Sequence, residues 1–177
     1  MKRIAIILEE GFEEIEALTP KDILNRAGFE CDLISTKTNN VTGAHNIKVE
    51  TKIVNKFDKY DMIILPGGMP GAKNLSENEV VIKEIKEFMN LNKFIAAICA
   101  APALVLSKAD IITGKNVTCY PGMESLLKGA NFREDLVVKD KNLITSRGPG
   151  TAMLFAFELV DVLNGETKKL KKEMLFK

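Results

Sequence analysis

A single histidine, His45, and three scattered cysteines with no Cys-x-x-Cys pair leave this chain little from which to build a dedicated zinc site, and no metal or other cofactor is expected. The cysteines Cys31, Cys99 and Cys119 are also an odd number, which fits reduced thiols better than a disulfide framework. Long apolar runs are missing. The longest, Phe94 to Leu106, covers 13 residues where a membrane-spanning helix needs about 20, so it belongs inside a core and no membrane association is expected. Charge of one sign is not in excess either: 25 basic and 24 acidic side chains leave a formal charge of +1, no field to hold nucleic acid. The apolar opening Ile4 to Leu8 turns acidic at Glu9, too early for a secretory signal, and a cytoplasmic location is the expectation.

What is present is an ordinary globular composition, 46% apolar and 28% charged, over a length that suits a single domain spanning residues 1–177. Short runs rich in β-branched residues alternate with helical patterns, the mark of an α/β protein with a mostly parallel sheet. Strands are expected at Ile4 to Leu8, Phe29 to Ser35, Asp61 to Leu65 and Phe94 to Ile98, then at Asn116 to Thr118, Leu136 to Lys139 and Asn142 to Thr145. Helices are expected at Glu13 to Ala27, Asn78 to Leu91, Ala100 to Ser107 and Thr151 to Leu163. Asn39 to Asn55, polar and alternating, reads as a small antiparallel excursion.

Cys99 carries the most pointed chemical signal. It joins a buried strand to a helix within Ala97-Ile98-Cys99-Ala100-Ala101, and a sharp strand-to-helix turn needs small neighbours of this kind to present a nucleophile. A helix N-terminus also favours the thiolate. The plain alternative is a cysteine serving as a small buried hydrophobe. Five carboxylates crowd Glu9 to Glu16 at the end of the first strand, where ligands bind in open α/β sheets. One of them, protonated beside an apolar wall, would support a thiolate; for most of the five a solvated first turn complementing the helix dipole is the expected role. Leu65-Pro66-Gly67-Gly68 offers backbone N–H groups for an oxyanion hole or a simple turn. Ser146-Arg147-Gly148-Pro149-Gly150-Thr151 offers an anion-receptive helix entry with the same ambiguity. His45 is expected at the surface, and Lys168 to Lys172 as a solvated C-terminal helix face.

Taken in order, Gly11-Phe12-Glu13-Glu14-Ile15-Glu16, Leu65-Pro66-Gly67-Gly68, Ala96-Ala97-Ile98-Cys99-Ala100-Ala101-Pro102, Thr118-Cys119-Tyr120-Pro121 and Thr145-Ser146-Arg147-Gly148-Pro149-Gly150-Thr151 resemble the ThiJ/PfpI superfamily, in its branch of the parkinsonism-associated deglycase. The resemblance runs nearly end to end. It implies a flavodoxin-like three-layer sandwich, a homodimer, and Cys99 as the reactive cysteine. It further implies Glu16 as a protonated partner of the thiolate, with the N–H groups of Gly68 and Ala100 as the oxyanion hole. Glu13 matches a further acid of the motif. Tyr120 and Cys119 would line the site, and Arg26 corresponds to an arginine that in relatives lies near the partner subunit's site.

Relatives often carry histidine where this chain has Tyr120, a poorer acid–base group near neutrality. Protease-like members place histidine directly after the cysteine, where this chain has Ala100, so a peptidase triad is not expected. The implied activity is that of a cysteine-dependent glyoxalase or deglycase on a small aldehyde such as methylglyoxal, or on glycated protein, slowed by Tyr120. The alternative is an oxidative-stress sensor or chaperone in which Cys99 becomes a sulfinate.

Overall fold

The computed structural model describes residues 1–176. The first strand, β1 (Arg3–Ile7), leads into α1 (Glu14–Arg26) and then β2 (Glu30–Ser35). Next come β3 (Asn40–Thr42), β4 (Lys48–Glu50), β5 (Lys52–Ile53) and β6 (Met62–Leu65). After these stand α2 (Gly71–Glu77), α3 (Glu79–Asn90) and β7 (Phe94–Ile98), followed by a π-helical turn at Pro102–Leu106. The second half adds β8 (Asn116–Val117), β9 (Asn131–Phe132), β10 (Val137–Asp140), β11 (Leu143–Ser146), α4 (Ala152–Val162) and α5 (Thr167–Glu173).

Seven strands form one sheet in the order β10-β11-β7-β6-β1-β2-β5. All its pairings are parallel except the edge pair of β10 with β11, so the architecture is the flavodoxin-like α/β sandwich. Parallel strands covered on both faces must be apolar throughout, which is why β1, β6 and β7 read as unbroken runs. Alternate residues divide between two cores. Ile4, Ile6, Ile64, Ala96 and Ile98 pack with Phe155, Ala156 and Leu159 of α4. Ala5, Ile7, Ile63, Ile95 and Ala97 pack with Val81, Ile85 and Phe88 of α3 and with Val105 and Leu106 of the π-helical turn.

The antiparallel excursion is present as the β3–β4 hairpin, Val41 facing Val49, while β5 returns to extend the main sheet beside β2. The segment after Cys99 is helical, but its middle is wound as a π-helix, a form whose apolar spacing over one turn cannot be told from α by sequence. Among the described residues no helix is long and apolar enough to cross a membrane.

Candidate active site

The carboxyl ends of β1, β6 and β7 meet at one edge of the sheet, and each contributes through the turn that follows it. After β7 the chain turns at Cys99, whose φ is +65°, a left-handed conformation costly for a side-chain-bearing residue. Strand alternation would send Cys99 to the α3 face after Ala97 and Ile98. The turn instead leaves it in the core cluster of Ile98 and α1, toward Glu16. The strained backbone is pinned on both sides: the Cys99 N–H donates to the Ser146 carbonyl at 3.0 Å and its carbonyl accepts from the Tyr120 N–H at 2.8 Å.

Glu16, in the first turn of α1, is wholly buried. Its Oε2 accepts the Gly67 N–H at 2.7 Å. Its Oε1 is buried with no hydrogen-bond partner among the described residues, and the Cys99 thiol lies close enough to the carboxyl to pull its proton affinity down. Burial pushes the Glu16 carboxyl from its ordinary 4.5 up to about 7, against the pull of the thiol and the Gly67 N–H and with some help from the charge of Glu13. Burial also pushes the Cys99 thiol up, and an ionised Glu16 pushes it further; the N–H groups of Ala100 and Gly68, aimed at the sulfur, pull it down. Two charges cannot be held side by side here, so near neutrality at least one of the pair stays protonated.

Gly67 and Gly68 are required by this crowding. A Cβ on Gly67 would lie 2.7 Å from both Cys99 Cβ and Glu16 Oε2, and Gly68 has φ +88° with backbone packed against it on the α1 side. The Gly67 N–H and the capping of α1 by Glu13, whose Oε2 accepts the Glu16 N–H at 2.8 Å, went unassigned in the sequence. Glutamate is an uncommon cap, and that is why its pattern gave no signal.

The structure therefore brings together Cys99, Glu16, Gly68 and Ala100, with Tyr120 beside them. Tyr120 is about half exposed, and its ring lies over Gly148 at the entry to α4. Cys119 does not join the group. It is fully buried in the opposite core with its thiol toward the Tyr120 carbonyl, pushed up by burial to about 11. Arg26 closes α1 about 15 Å beyond Glu16 along the helix and pairs with Asp22 at 2.7 Å, so within one chain it does not reach the thiol. The solvated role expected for most of the acids is corrected: Glu9, Glu13 and Glu14 are buried with Glu16, because the hairpin and the loops after β2 and β6 close over them, and Glu10 alone is exposed. His45 is at the surface as expected, paired with Glu14.

A family model described as the DJ-1/PfpI family matches residues 2–162. A Caenorhabditis elegans protein named glutathione-independent glyoxalase DJR-1.2 is 33% identical over 174 residues, 94% of this chain and 92% of that protein. The crystal structure of Drosophila melanogaster DJ-1beta superposes with a TM-score of 0.94 at 34% identity, covering 99% of this chain and 98% of that one. Arabidopsis thaliana protein DJ-1 homolog B is 35% identical over 175 residues, and the chain spans only 40% of its length.

Proposed function

The chain belongs to the DJ-1/PfpI family, and on that footing we propose that it is a cysteine-dependent glyoxalase or deglycase acting on reactive dicarbonyls or their protein adducts. The observation that carries this is Glu16: a buried carboxyl held by the Gly67 N–H, its other oxygen unpartnered, beside the Cys99 thiol. The name of the C. elegans relative supports the same chemistry.

With methylglyoxal, the Cys99 thiolate adds to the aldehyde carbon and the new C–S bond pushes the carbonyl electrons onto oxygen, where the Gly68 and Ala100 N–H groups receive them. Glu16 gives its proton to that oxygen, forming a hemithioacetal. Transfer of the C1 hydrogen to C2 as a proton, with its electron pair following through an enediol, oxidises C1 to a thioester and reduces the ketone to an alcohol. Water then cleaves the thioester, releasing lactate and the thiol. Glu16 is the nearest group able to carry these protons, and Tyr120 at the mouth is a weak substitute for an imidazole, so turnover is slow.

The test is conversion of methylglyoxal to lactate by the wild type, Cys99→Ser and Glu16→Gln. Turnover lost in both variants supports the reading; turnover no higher than buffer overturns it. A second reading rests on the same N–H groups, which with a protonated Glu16 would also hold a sulfinate, making Cys99 a peroxide sensor. Oxidation that stops at two added oxygens by mass in the wild type, and proceeds further in Glu16→Gln, distinguishes it.

The homodimer belongs to this proposal. A shallow groove of about 400 Å³ runs along α1, lined by Ile15, Leu18, Ile23, Ile47, Met153 and Met174, and Ile15 and Ile47 stand about half exposed in it. A second copy of the same face would cover this apolar area.

A further inference from the structure

Glu13 stands at the cap of α1, more than nine-tenths buried, and three hydrogen bonds close a ring through it. The Glu13 N–H donates to the Gly67 carbonyl at 3.0 Å, the Gly67 N–H donates to Glu16 Oε2 at 2.7 Å, and the Glu16 N–H donates to Glu13 Oε2 at 2.8 Å. The ring joins two segments far apart in the chain, the start of α1 and the turn after β6. That turn also carries the Gly68 N–H. A Cβ on Gly68 would run into the Glu13 backbone nitrogen, so glycine there lets the two segments meet backbone to backbone. A shift of the Glu16 carboxyl against the Gly68 N–H would stretch a member of this ring.

From this ring we propose that Glu13 is a positioning residue, acting through Glu16 by hydrogen bond and by charge to hold the acid in place against the turn that carries the Gly68 N–H. The inference rests on the reading of Cys99 and Glu16 as the reactive pair. Residue type supports it. Serine and asparagine are the ordinary helix caps, and either would accept the Glu16 N–H without bringing charge. Glutamate instead puts a negative charge into a nearly closed space beside another acid, which by itself disfavours the fold. The cation facing it, the His45 imidazole from the β3–β4 turn, lies 4.0 Å from Glu13 Oε1 and 2.7 Å from Glu14 Oε2, so it is bonded to the neighbour instead. Glu16 faces the Cys99 thiol from the turn after β7 and Glu13 from its own helix. Burial does most to keep the proton on Glu16, and the charge of Glu13 adds to it.

The test follows Glu16 directly, by carbon NMR of the glutamate carboxyl groups in the full chain, with its resonance assigned by loss in Glu16→Gln. Glu13→Gln keeps an oxygen to cap the helix and removes the charge. The Glu16 midpoint is then expected to fall by about 0.3 to 0.5 of a pH unit, a two- to threefold weaker hold on the proton, while the Gly67 and Glu16 amides exchange hydrogen at the wild-type rate. Glu13→Ala removes the cap as well, and exchange at both amides is expected to quicken about tenfold or more. A residue that only caps the helix would leave the Glu16 midpoint unmoved in Glu13→Gln, and that result overturns the proposal. Wild-type exchange at Gly67 in Glu13→Ala overturns it too. Neither readout needs turnover, so inactivity toward methylglyoxal would sink the proposed activity and leave this result standing.

Discussion

Replacing Glu16 with glutamine isolates the energetic consequence of burying this carboxyl. In the unfolded chain the group titrates near its ordinary 4.5, and in the native state near 7. The folded protein therefore holds the Glu16 proton more tightly than the unfolded one. Below about pH 4.5 the group favours neither state; between 4.5 and about 7 the unfolded chain releases a proton that the native state still holds, so stability falls, and it levels off above 7. A displacement from 4.5 to about 7 corresponds to about 3 kcal/mol in full, most of it between pH 5 and 8. Glu16→Gln keeps an oxygen for the Gly67 N–H and an N–H for the sulfur but cannot ionise. Urea unfolding followed by circular dichroism at pH 5 and pH 8 measures the difference. Wild type is expected to lose about 2 to 3 kcal/mol more than Glu16→Gln across that range. Parallel pH profiles for the two proteins would refute the assignment of a proton to Glu16.

Gly67→Ala places a methyl 2.7 Å from Cys99 Cβ and Glu16 Oε2, so it is expected to cost about 1 to 3 kcal/mol in denaturant midpoint and to slow alkylation of Cys99 by iodoacetamide. Tyr120→His puts an imidazole at the mouth of the site and is expected to raise kcat for methylglyoxal by roughly tenfold or more, with KM little changed. Ile47→Asp, on the apolar groove of α1, is expected to give a monomer by sedimentation velocity while thermal stability of the chain stays near that of the wild type.

The strands that carry the core were legible because burial on both sheet faces demands unbroken apolar runs: β7 occupies the residues read for it, Phe94 to Ile98. α1 and α3 were legible as helices over Glu13 to Ala27 and Asn78 to Leu91 from their apolar spacing, and in the structure Asn78 caps α3 by accepting from the Val80 and Val81 N–H groups. The short α2 and the two-residue β9 were not. Neither is long enough for its periodicity to rise above its neighbours, and both depend on contacts with distant segments.

Residue type and local pattern, with the family resemblance beside them, determined the α/β class, the turn at Cys99 and the shortlist of groups able to meet it. Without the resemblance, which pointed to Glu16, they could not rank the five acids, because all five sit on the same eight-residue stretch and differ only in what is folded over them. Tertiary structure decided that. The Gly67 N–H and Cys99 single out Glu16, the hairpin turns Glu14 toward His45, and the two faces of the sheet separate Cys119 from Cys99. An ionisable group takes its proton affinity and its partners from the dielectric and the dipoles around it, and those come from residues far away in the chain.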